Sequence, residues 1–570
     1  MFRKHYIMLP VLLIVFLSGV TFGQNVLRLL PYNGTSDSEI ITQIKADTTT
    51  NHGILPGRIY QLDGGGLYIC QETFYVDSAS TLRLQSSDSK KAKIYLYPTG
   101  TGSNPQNPPG YFVRLRGGNL EMRNIAMSGY FEPVDSNFNN IQGGMIRTDN
   151  EGSDIILDSC IFSNINGQVI RTEASASVIK VTNTILTNLG ALITSNFGAG
   201  KGIDLRAASL DTLIFQNNTV TNYQDRVIRH YNFSNPLQGT GNIKYALIDH
   251  NTIFDGMGFH GLINLGNVGN KVVITNNFFK DAFAAGEDST DATRTAEWAN
   301  TGELYPNGLN RMSWIFSAPN DSTQWVISNN FYAVSDSGQA FFDAHTAEPI
   351  TVGSPLSWHI NSRLGADSVQ AFTLINDPNL EKTQMLMTNL MRWYVSPDGG
   401  NKTKNTPTSL WDPKKDDMNR KPLAFWIDTL NCSYNTSSTA YTGAIGGFPA
   451  GDLNWFPAKY AEWMNPTAVK KYNNSVVSSY RLNQNYPNPF NPTTVISYDL
   501  PKASRVSLIV YNTLGQEVAR LVNNENQASG KYEYQWNAEN SFGKSLSTGI
   551  YFYQLRAGSM TITKKMILLK

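Results

Sequence analysis

Runs of alternating apolar and polar residues recur along residues 120–333, and each run ends at a polar residue that further apolar positions usually follow. Alternation at a period of two is typical of a strand that buries one face. The residues that end the seven runs are Asn124, Ser159, Asn183, Asn217, His250, Asn276 and Asn329. Their numbers differ successively by 35, 24, 34, 33, 26 and 53, and the last difference indicates a missing rung or a long insertion. A repeat of this length built from strands predicts a β-solenoid.

The polar residue that ends each run has a physical role in such a solenoid. Asparagine tolerates a left-handed backbone angle and can hydrogen-bond along a stack of identical neighbours. Such a stack lets the chain turn sharply without leaving polar groups unpaired in the interior. At these residues the chain resembles the right-handed parallel β-helix of pectate-lyase-like proteins, whose inner asparagine ladder lies at the same turn. Ser159 and His250 depart from the pattern, and they are expected to break the ladder without breaking the apolar frame.

Length and charge narrow the class of protein. The chain has 570 residues, which fits a solenoid over residues 24–466 together with an additional domain. The formal net charge is +1 and 16% of the residues are charged, so nothing attracts nucleic acid or an anionic bilayer over long range. The three cysteines, Cys70, Cys160 and Cys432, are too few and too scattered for a disulfide framework or a zinc site. We expect a monomer that binds no nucleic acid.

The first 23 residues have the pattern of a secretory signal peptide. Arg3 and Lys4 give a positive start, residues 7–16 are apolar, and Thr21 and Gly23 form a cleavage pair before Gln24. The apolar run is too short and wrongly flanked for a spanning helix. No later segment is apolar enough to cross a membrane. The sequence therefore predicts a protein that leaves the cytoplasm.

Three further segments complete the predicted solenoid. Residues 37–45 are expected to form a short helix that caps its first rung. The polar stretch 281–310 interrupts the pattern and predicts either an active-site wall or a surface loop. Residues 355–466 are interpreted as closing rungs with irregular decoration, in which Trp455 and Phe456 plug the open end of the core. Residues 467–479 are interpreted as a linker.

The last residues, 480–570, predict a separate small β-sandwich. Alternating strands are expected at residues 494–498, 505–511, 517–521, 531–536, 549–556 and 561–569, with Pro, Gly and Asn turns between them. The motifs YPNPFNP at 486–492, YNTLGQEV at 511–518, GIYFYQL at 549–555 and KKMILLK at 564–570 resemble the C-terminal sorting domain of the type IX secretion system. The resemblance implies contact with the type IX machinery, export across the outer membrane, and a secreted or outer cell-surface protein. The alternative is a generic carbohydrate-binding sandwich.

A second strand precedes each bend, and it carries arginine on several rungs. Its outward residues are predicted to be Arg147, Arg171, Arg206, Arg229 and Asn264. Rungs lie about 4.8 Å apart, where two like charges repel by about 0.9 kcal/mol even in water. Such a column needs acidic neighbours, for which Glu173, Asp204 and Asp225 are available, or an anionic ligand. Arginine suits a uronate because its guanidinium bonds both carboxylate oxygens.

The resemblance to pectate-lyase-like proteins adds an expected chemistry. Polysaccharide lyases of that fold abstract the proton next to a uronate carboxyl, and calcium or arginine often neutralises that carboxyl. By this resemblance Arg229 would be the catalytic acid or carboxylate clamp and Lys201 the general base. Glu173 and Asp204 are the candidate calcium ligands. His250 echoes a pectate-lyase phrase but occupies a bend, so a structural role is expected.

Three functions follow from these patterns. The first is a surface β-helix that binds acidic polysaccharide, with or without cleavage by β-elimination. The second is a non-catalytic adhesin or cell-envelope structural protein, because a fold alone does not define chemistry. A glycoside hydrolase ranks last, since the predicted groove strands carry no outward pair of carboxylates on adjacent rungs.

Overall fold

The computed structural model describes residues 25–99, 108–129, 142–190, 198–206, 208–230, 242–346, 349–383, 430–464, 470–472, 479–538 and 546–569. The predicted signal peptide at 1–23 lies outside these residues, as does most of the predicted linker at 467–479.

Three long parallel sheets form the first and larger part of the protein. Sheet 1 contains Asn25–Leu29, Arg58–Leu62, Thr81–Ser86, Asn119–Arg123, Ser153–Asp158, Ala176–Thr182, Leu210–Gln216, Ile243–Asp249, Val268–Thr275 and Gln324–Ser328. Sheet 2 contains Phe74–Asp77, Val113–Arg116, Gly144–Asn150, Gln168–Thr172, Lys201–Leu205, Ile228–His230, Ile263–Asn264 and Ile315–Phe316. Sheet 3 contains Leu67–Cys70, Ala92–Leu96, Ile125–Ser128, Ile161–Ile165, Ile185–Leu189, Thr219–Tyr223, Thr252–Phe254, Phe278–Lys280, Asn330–Ala333 and Phe372–Leu374. Successive rungs pair in parallel within each sheet, which confirms the predicted β-helix.

The seven predicted bends separate the strands of sheet 1 from those of sheet 3. All seven residues have a positive φ, from 50° at His250 to 58° at Asn276, so the prediction of a left-handed turn is confirmed. The large last spacing is an insertion and not a missing rung, because residues 281–323 still contribute Ile315–Phe316 to sheet 2. The insertion also contains the helix Ala292–Thr295, the 3-10 helix Ala296–Thr301 and the strand Glu287–Asp288, which pairs with Ile350–Thr351.

The buried ladder is formed by the residue after the bend on the last five of the seven rungs, which corrects the position expected from the resemblance. Its members are fully buried and are Thr184, Asn218, Asn251, Asn277 and Asn330. The Asn251 Nδ2 donates to the Phe215 carbonyl at 2.8 Å and to Asn277 Oδ1 at 2.9 Å. Because the ladder runs one residue later, His250 does not break it, and Cys160 takes the place on the rung of Ser159.

A second column of left-handed residues follows five positions after the first and ends the strands of sheet 3. Its members are Asn164, Asn188, Asn222, Asp255 and Asp281, with φ between 45° and 59°. The Asn222 Nδ2 donates to Asn188 Oδ1 at 2.7 Å, and the Asn188 Nδ2 donates to Asn164 Oδ1 at 3.2 Å. Each rung therefore turns at two corners that are stabilised by stacked polar side chains.

A helix covers the first rung, as predicted, although it runs from Ile40 to Thr50 after a 3-10 turn at Ser36–Ser38. Its buried residues are Ile40, Ile41 and Ile44. The Glu39 carboxylate accepts the Thr42 N–H at 2.6 Å and so caps the helix start. At the other end, the helix Trp358–Leu364 and the 3-10 helix Gly365–Gln370 pack on the last strand of sheet 1.

Residues 430–464 run along the side of the β-helix, so the prediction that Trp455 and Phe456 plug its end is wrong. The Trp455 Nε1 donates to Thr219 Oγ1 at 2.7 Å, and the Leu453 N–H donates to Asn217 Oδ1 at 2.6 Å. The bend residues present polar atoms on successive rungs, and this segment satisfies them with its own backbone and side chains. It contains the 3-10 helices Thr439–Tyr441 and Leu453–Trp455 and the helix Pro457–Met464.

The C-terminal unit is a sandwich of two four-stranded antiparallel sheets, as predicted. One sheet contains Arg481–Leu482, Thr494–Leu500, Gly530–Trp536 and Lys470–Tyr472, and the other contains Glu517–Gln527, Ser504–Tyr511, Gly549–Ala557 and Met560–Leu568. The strand Lys470–Tyr472 lies within the predicted linker, so that segment is partly structured.

The sandwich docks on the outer face of sheet 1. There the outward residues of four successive rungs are apolar, and they are Ile214, Leu247, Val273 and Val326. Tyr486 packs against this strip together with Tyr245. The Tyr486 hydroxyl donates to Thr275 Oγ1 at 3.1 Å, and the Tyr245 hydroxyl donates to the Pro489 carbonyl at 3.1 Å.

Candidate functional site

The predicted arginine column lies on the outer face of sheet 2, but one predicted member lies outside it and a different residue occupies that position. Its aligned residues on successive rungs are Arg114, Arg147, Arg171, Asp204, Arg229 and Asn264. Arg206 follows the end of the strand Lys201–Leu205, so its predicted place in the column is wrong. Asp204 takes that place because Ile203 aligns with Ile170 on one side and Ile228 on the other. Arg114 extends the column by one rung beyond the prediction.

Each arginine of the column contacts a carboxylate on the same face. Asp149 lies 2.8 Å from the Arg114 guanidinium and 3.0 Å from that of Arg147. Arg171 Nε donates to Glu173 at 2.6 Å, and Arg229 Nη1 donates to Asp204 at 3.3 Å. These ion pairs relieve the repulsion between rungs, as expected for a column without a bound anion. The arginine side chains are exposed by 32, 30, 24 and 11% in rung order, so the first three are the accessible ones.

Two tyrosines flank the start of the column, and the sequence reasoning did not include them. The Arg116 guanidinium lies 3.9 Å from the centre of the Tyr75 ring, and that of Arg147 lies 5.8 Å from the Tyr111 ring. Tyr75 is 38% exposed. The first rungs of sheet 2 therefore combine cations, carboxylates and accessible aromatic faces.

A buried cluster of ionised side chains lies beside the later rungs of the column. Its centre is Asp225, which is fully buried at the corner between sheet 3 and sheet 2. Lys201 Nζ lies 2.9 Å from its Oδ2, Arg226 Nε lies 3.7 Å from Oδ1, and His260 Nδ1 lies 2.9 Å from Oδ1. Burial alone would raise the pKa of Asp225, but Lys201, Arg226 and His260 together hold it well below its usual value.

The two predicted catalytic residues share this environment. Lys201 is 3% exposed, and its ammonium also donates to the Gly198 carbonyl. Burial lowers the pKa of Lys201, and the nearby Arg229 lowers it further, while Asp225 opposes both effects. Burial likewise lowers the pKa of Arg229. The structure thus brings Lys201 and Arg229 together, but it holds the amine in a buried ion pair.

Arg226, His260 and Glu297 belong to the same cluster and were missed by the sequence reasoning. Arg226 Nη2 donates to Glu297 at 2.9 Å, so the segment 281–310 packs beside the buried cluster. Burial lowers the pKa of His260 to about 4. Despite its own burial, Glu297 has a pKa lowered to about 2 by Arg226 and His260. Because these residues come from a turn, a loop and an insertion, no periodic signal in the sequence marks them.

The predicted calcium ligands are both arginine partners. Glu173 accepts from Arg171, and Asp204 contacts Arg229 while aligned with Arg171. Within the described ranges, no group of three or more histidine, cysteine, aspartate or glutamate side chains is arranged to hold a metal ion. Two carboxylates that face guanidinium groups do not fit a hard cation that takes six to eight oxygens.

The fold and the site define a parallel β-helix with a polar sheet face, joined to a small β-sandwich. Residues 484–569 match the family model described as the secretion system C-terminal sorting domain. This sorting domain marks the chain for export by the type IX secretion system, and the protein is therefore secreted or lies on the outer cell surface. No helix in the described part of the chain is long and apolar enough to cross a membrane.

A solved structure of PorZ, a bacterial surface component of the type IX secretion system of Porphyromonas gingivalis, is similar over a short stretch. The identity is 18%, the TM-score is 0.12, and the match covers 15% of this chain and 11% of that chain. No curated protein matches the sequence.

Proposed function

We propose that this exported β-helix binds acidic polysaccharide along the outer face of sheet 2. The observation that carries the proposal is the register that places Arg114, Arg147 and Arg171 on three consecutive rungs, with side chains 32, 30 and 24% exposed. A guanidinium has five N–H donors, and the pairing of Arg171 with Glu173 uses its Nε. The remaining donors are suited to the carboxylates of a uronate chain that runs along the column.

The neighbouring carboxylates set the character of this binding. Because Asp149 and Glu173 already offset part of the positive charge, a single rung provides little affinity. Binding must therefore come from several rungs together and must weaken as salt screens the exposed charges. Tyr75, which is 38% exposed beside the Arg116 guanidinium, adds an aromatic ring that a sugar can contact.

Replacing Arg147 and Arg171 together by alanine is expected to weaken the binding of pectate or alginate by at least about tenfold, because two central rungs of the column lose their donors. Immobilised glycan binding by the full chain measures this effect. Arg83→Ala is the matched control, since Arg83 lies on sheet 1 in a similar pair with Glu121, 29% exposed. Unchanged glycan retention in the double variant would refute the proposed track.

Cleavage by β-elimination depends on whether Lys201 can act as a base. A general base must lose its proton and reach the substrate. Burial lowers the pKa of Lys201, but its amine is 3% exposed and lies in an ion pair 2.9 Å from Asp225, so a substrate on the outer face does not reach it. The geometry therefore supports a binding protein of the adhesin kind over a lyase.

We accordingly expect pectate, alginate and chondroitin to give no unsaturated product with the folded protein, with or without calcium. The ultraviolet absorbance of the product measures this directly. Product formation that is lost in Lys201→Met would contradict the expectation and assign Lys201 as the base.

A further inference from the structure

A cleft of about 1190 Å³ lies near the end of the β-helix, away from the arginine column. Its floor is the end of the second bend column, with Asp255 and Asp281 on adjacent rungs. Its walls come from residues 332–339, 352–355 and 374–383. Four aspartates and one lysine line it, so the cleft has the opposite charge to the accessible arginines.

The chemistry of the bend column changes where it enters the cleft. Three amides, Asn164, Asn188 and Asn222, are joined by hydrogen bonds along the stack. The next two rungs carry Asp255 and Asp281 instead. An asparagine would extend the chain of amides, whereas two carboxylates on adjacent rungs repel each other when both are ionised. The aspartates are therefore costly for folding at this position.

Asp255 is the side chain that most needs a ligand. It is 9% exposed and lines the cleft. Among the described residues, its carboxylate has only the nearby charges of Asp281, Lys280 and Asp377 and no hydrogen-bond partner. The nearby groups are otherwise engaged. The Ser335 N–H donates to Asp281 at 2.9 Å, and Lys280 Nζ lies 2.9 Å from Asp377. A buried carboxyl without a partner is rare unless a proton or a cation completes it.

The protonation of Asp255 agrees with this geometry. Burial raises the pKa of Asp255 to about 8, and the charges of Asp281 and Asp377 add to the shift against the opposing effect of Lys280. The carboxyl thus holds a proton at neutral pH when no cation is present. A ligand cation would replace that proton.

We propose that this cleft binds an amino sugar, with the sugar ammonium placed between Asp255 and Asp281. An ammonium offsets the repulsion of the two carboxylates, which a neutral hydroxyl would not. Ser337, Asn376 and Asn379 line the same space, and their hydroxyl and amide groups suit the hydroxyls of a sugar ring. The proposal is independent of the sheet 2 track, and it gives the protein a second glycan site of opposite charge.

The test compares the full-length protein with Asp255→Asn by titration calorimetry at pH 7. The probe is a β-1,4 oligomer of glucosamine. The ligands titrated for comparison are its N-acetylated form, spermidine and calcium. We expect the charged oligomer to bind at least about tenfold more tightly than the other three, and Asp255→Asn to lose at least about tenfold in affinity. Asp367→Asn, the same change at an exposed position outside the cleft, keeps its affinity within about twofold.

Each of the following outcomes would overturn the proposal of an amino-sugar site. Equal binding of spermidine would make the site a general ammonium site, and tighter binding of calcium would make it a metal site. Binding of the acetylated oligomer with equal affinity would show that the ammonium charge does not contribute to binding. Retention of affinity in Asp255→Asn, or no binding of the glucosamine oligomer to the natural chain, would remove the site.

A stability readout shows that the variant is folded. A carboxyl whose folded pKa is raised to about 8 contributes stability that is complete below about pH 4 and is lost as pH rises to 8. Asp255→Asn removes this loss, so it is expected to melt at a higher temperature than the natural chain at pH 8. A variant that is more stable and no longer binds is the signature of a residue kept for a ligand.

Discussion

Asp225→Asn is expected to destabilise the β-helix by about 3 to 5 kcal/mol, the cost of removing one partner from a buried ion pair. Asp225 is the shared counter-charge of Lys201 and Arg226, and it also holds His260. Asparagine keeps the size of the side chain but removes its charge, which leaves two buried cations with less compensation. Calorimetry of the full chain measures the effect.

The control for this prediction is Asp211→Asn. Asp211 pairs with Lys244 at 2.6 Å, but both side chains are more than half exposed. An exposed pair contributes at most about 1 kcal/mol, so we expect little change in the melting temperature. If Asp225→Asn shifts the melting temperature no more than Asp211→Asn, the buried cluster does not stabilise the fold.

Asn251→Ala is expected to cost about 2 to 6 kcal/mol, since two buried backbone groups lose their partners at about 1 to 3 kcal/mol each. The first is the Asn218 N–H, which donates to Asn251 Oδ1 at 3.0 Å. The second is the Phe215 carbonyl, which accepts from Asn251 Nδ2 at 2.8 Å. Water cannot reach either group, because Asn251 and its ladder neighbours are fully buried. The free energy of unfolding in denaturant measures the loss.

Asn251→Thr is the matched comparison, because the ladder already contains Thr184 on an earlier rung. There the Thr184 hydroxyl accepts the Cys160 N–H at 3.2 Å, so a hydroxyl can replace one function of the amide. We expect the threonine variant to lose less stability than the alanine variant. Equal losses would show that the cost comes from packing and not from the ladder.

The rungs were predictable from the sequence because their turns need a special backbone angle. Asparagine tolerates a positive φ, and apolar residues alternate on either side of it, so Asn183 or Asn276 marks a bend without any tertiary information. The second bend column carries the same signal five positions later, and a search for it would have found Asn188 and Asn222. The strands of the sandwich were found for a similar reason, since turn residues bound each one.

On one rung, the sequence could not predict which residue belongs to the arginine column. In the strand Lys201–Leu205, Ile203 and Leu205 are both apolar and both buried. Asp204 and Arg206 therefore have the same outward parity, and alternation alone cannot choose between them. The register of the backbone hydrogen bonds to the neighbouring rungs places Asp204, and not Arg206, in the column. The buried cluster was hidden for another reason, because Glu297 lies 71 positions from Arg226 in the chain.

The docking of the sandwich on sheet 1 explains an otherwise odd surface. Three of the four preceding rungs place a charged residue outward on this face, and these are Arg83, Glu121 and Lys180, with Ile156 between the last two. On the later rungs the outward residues Ile214 and Leu247 are apolar. A chain without its last ninety or so residues would expose this apolar strip to solvent. Exposed apolar patches of this kind favour contact with another apolar surface, so covering the strip is a second consequence of the position of the sorting domain.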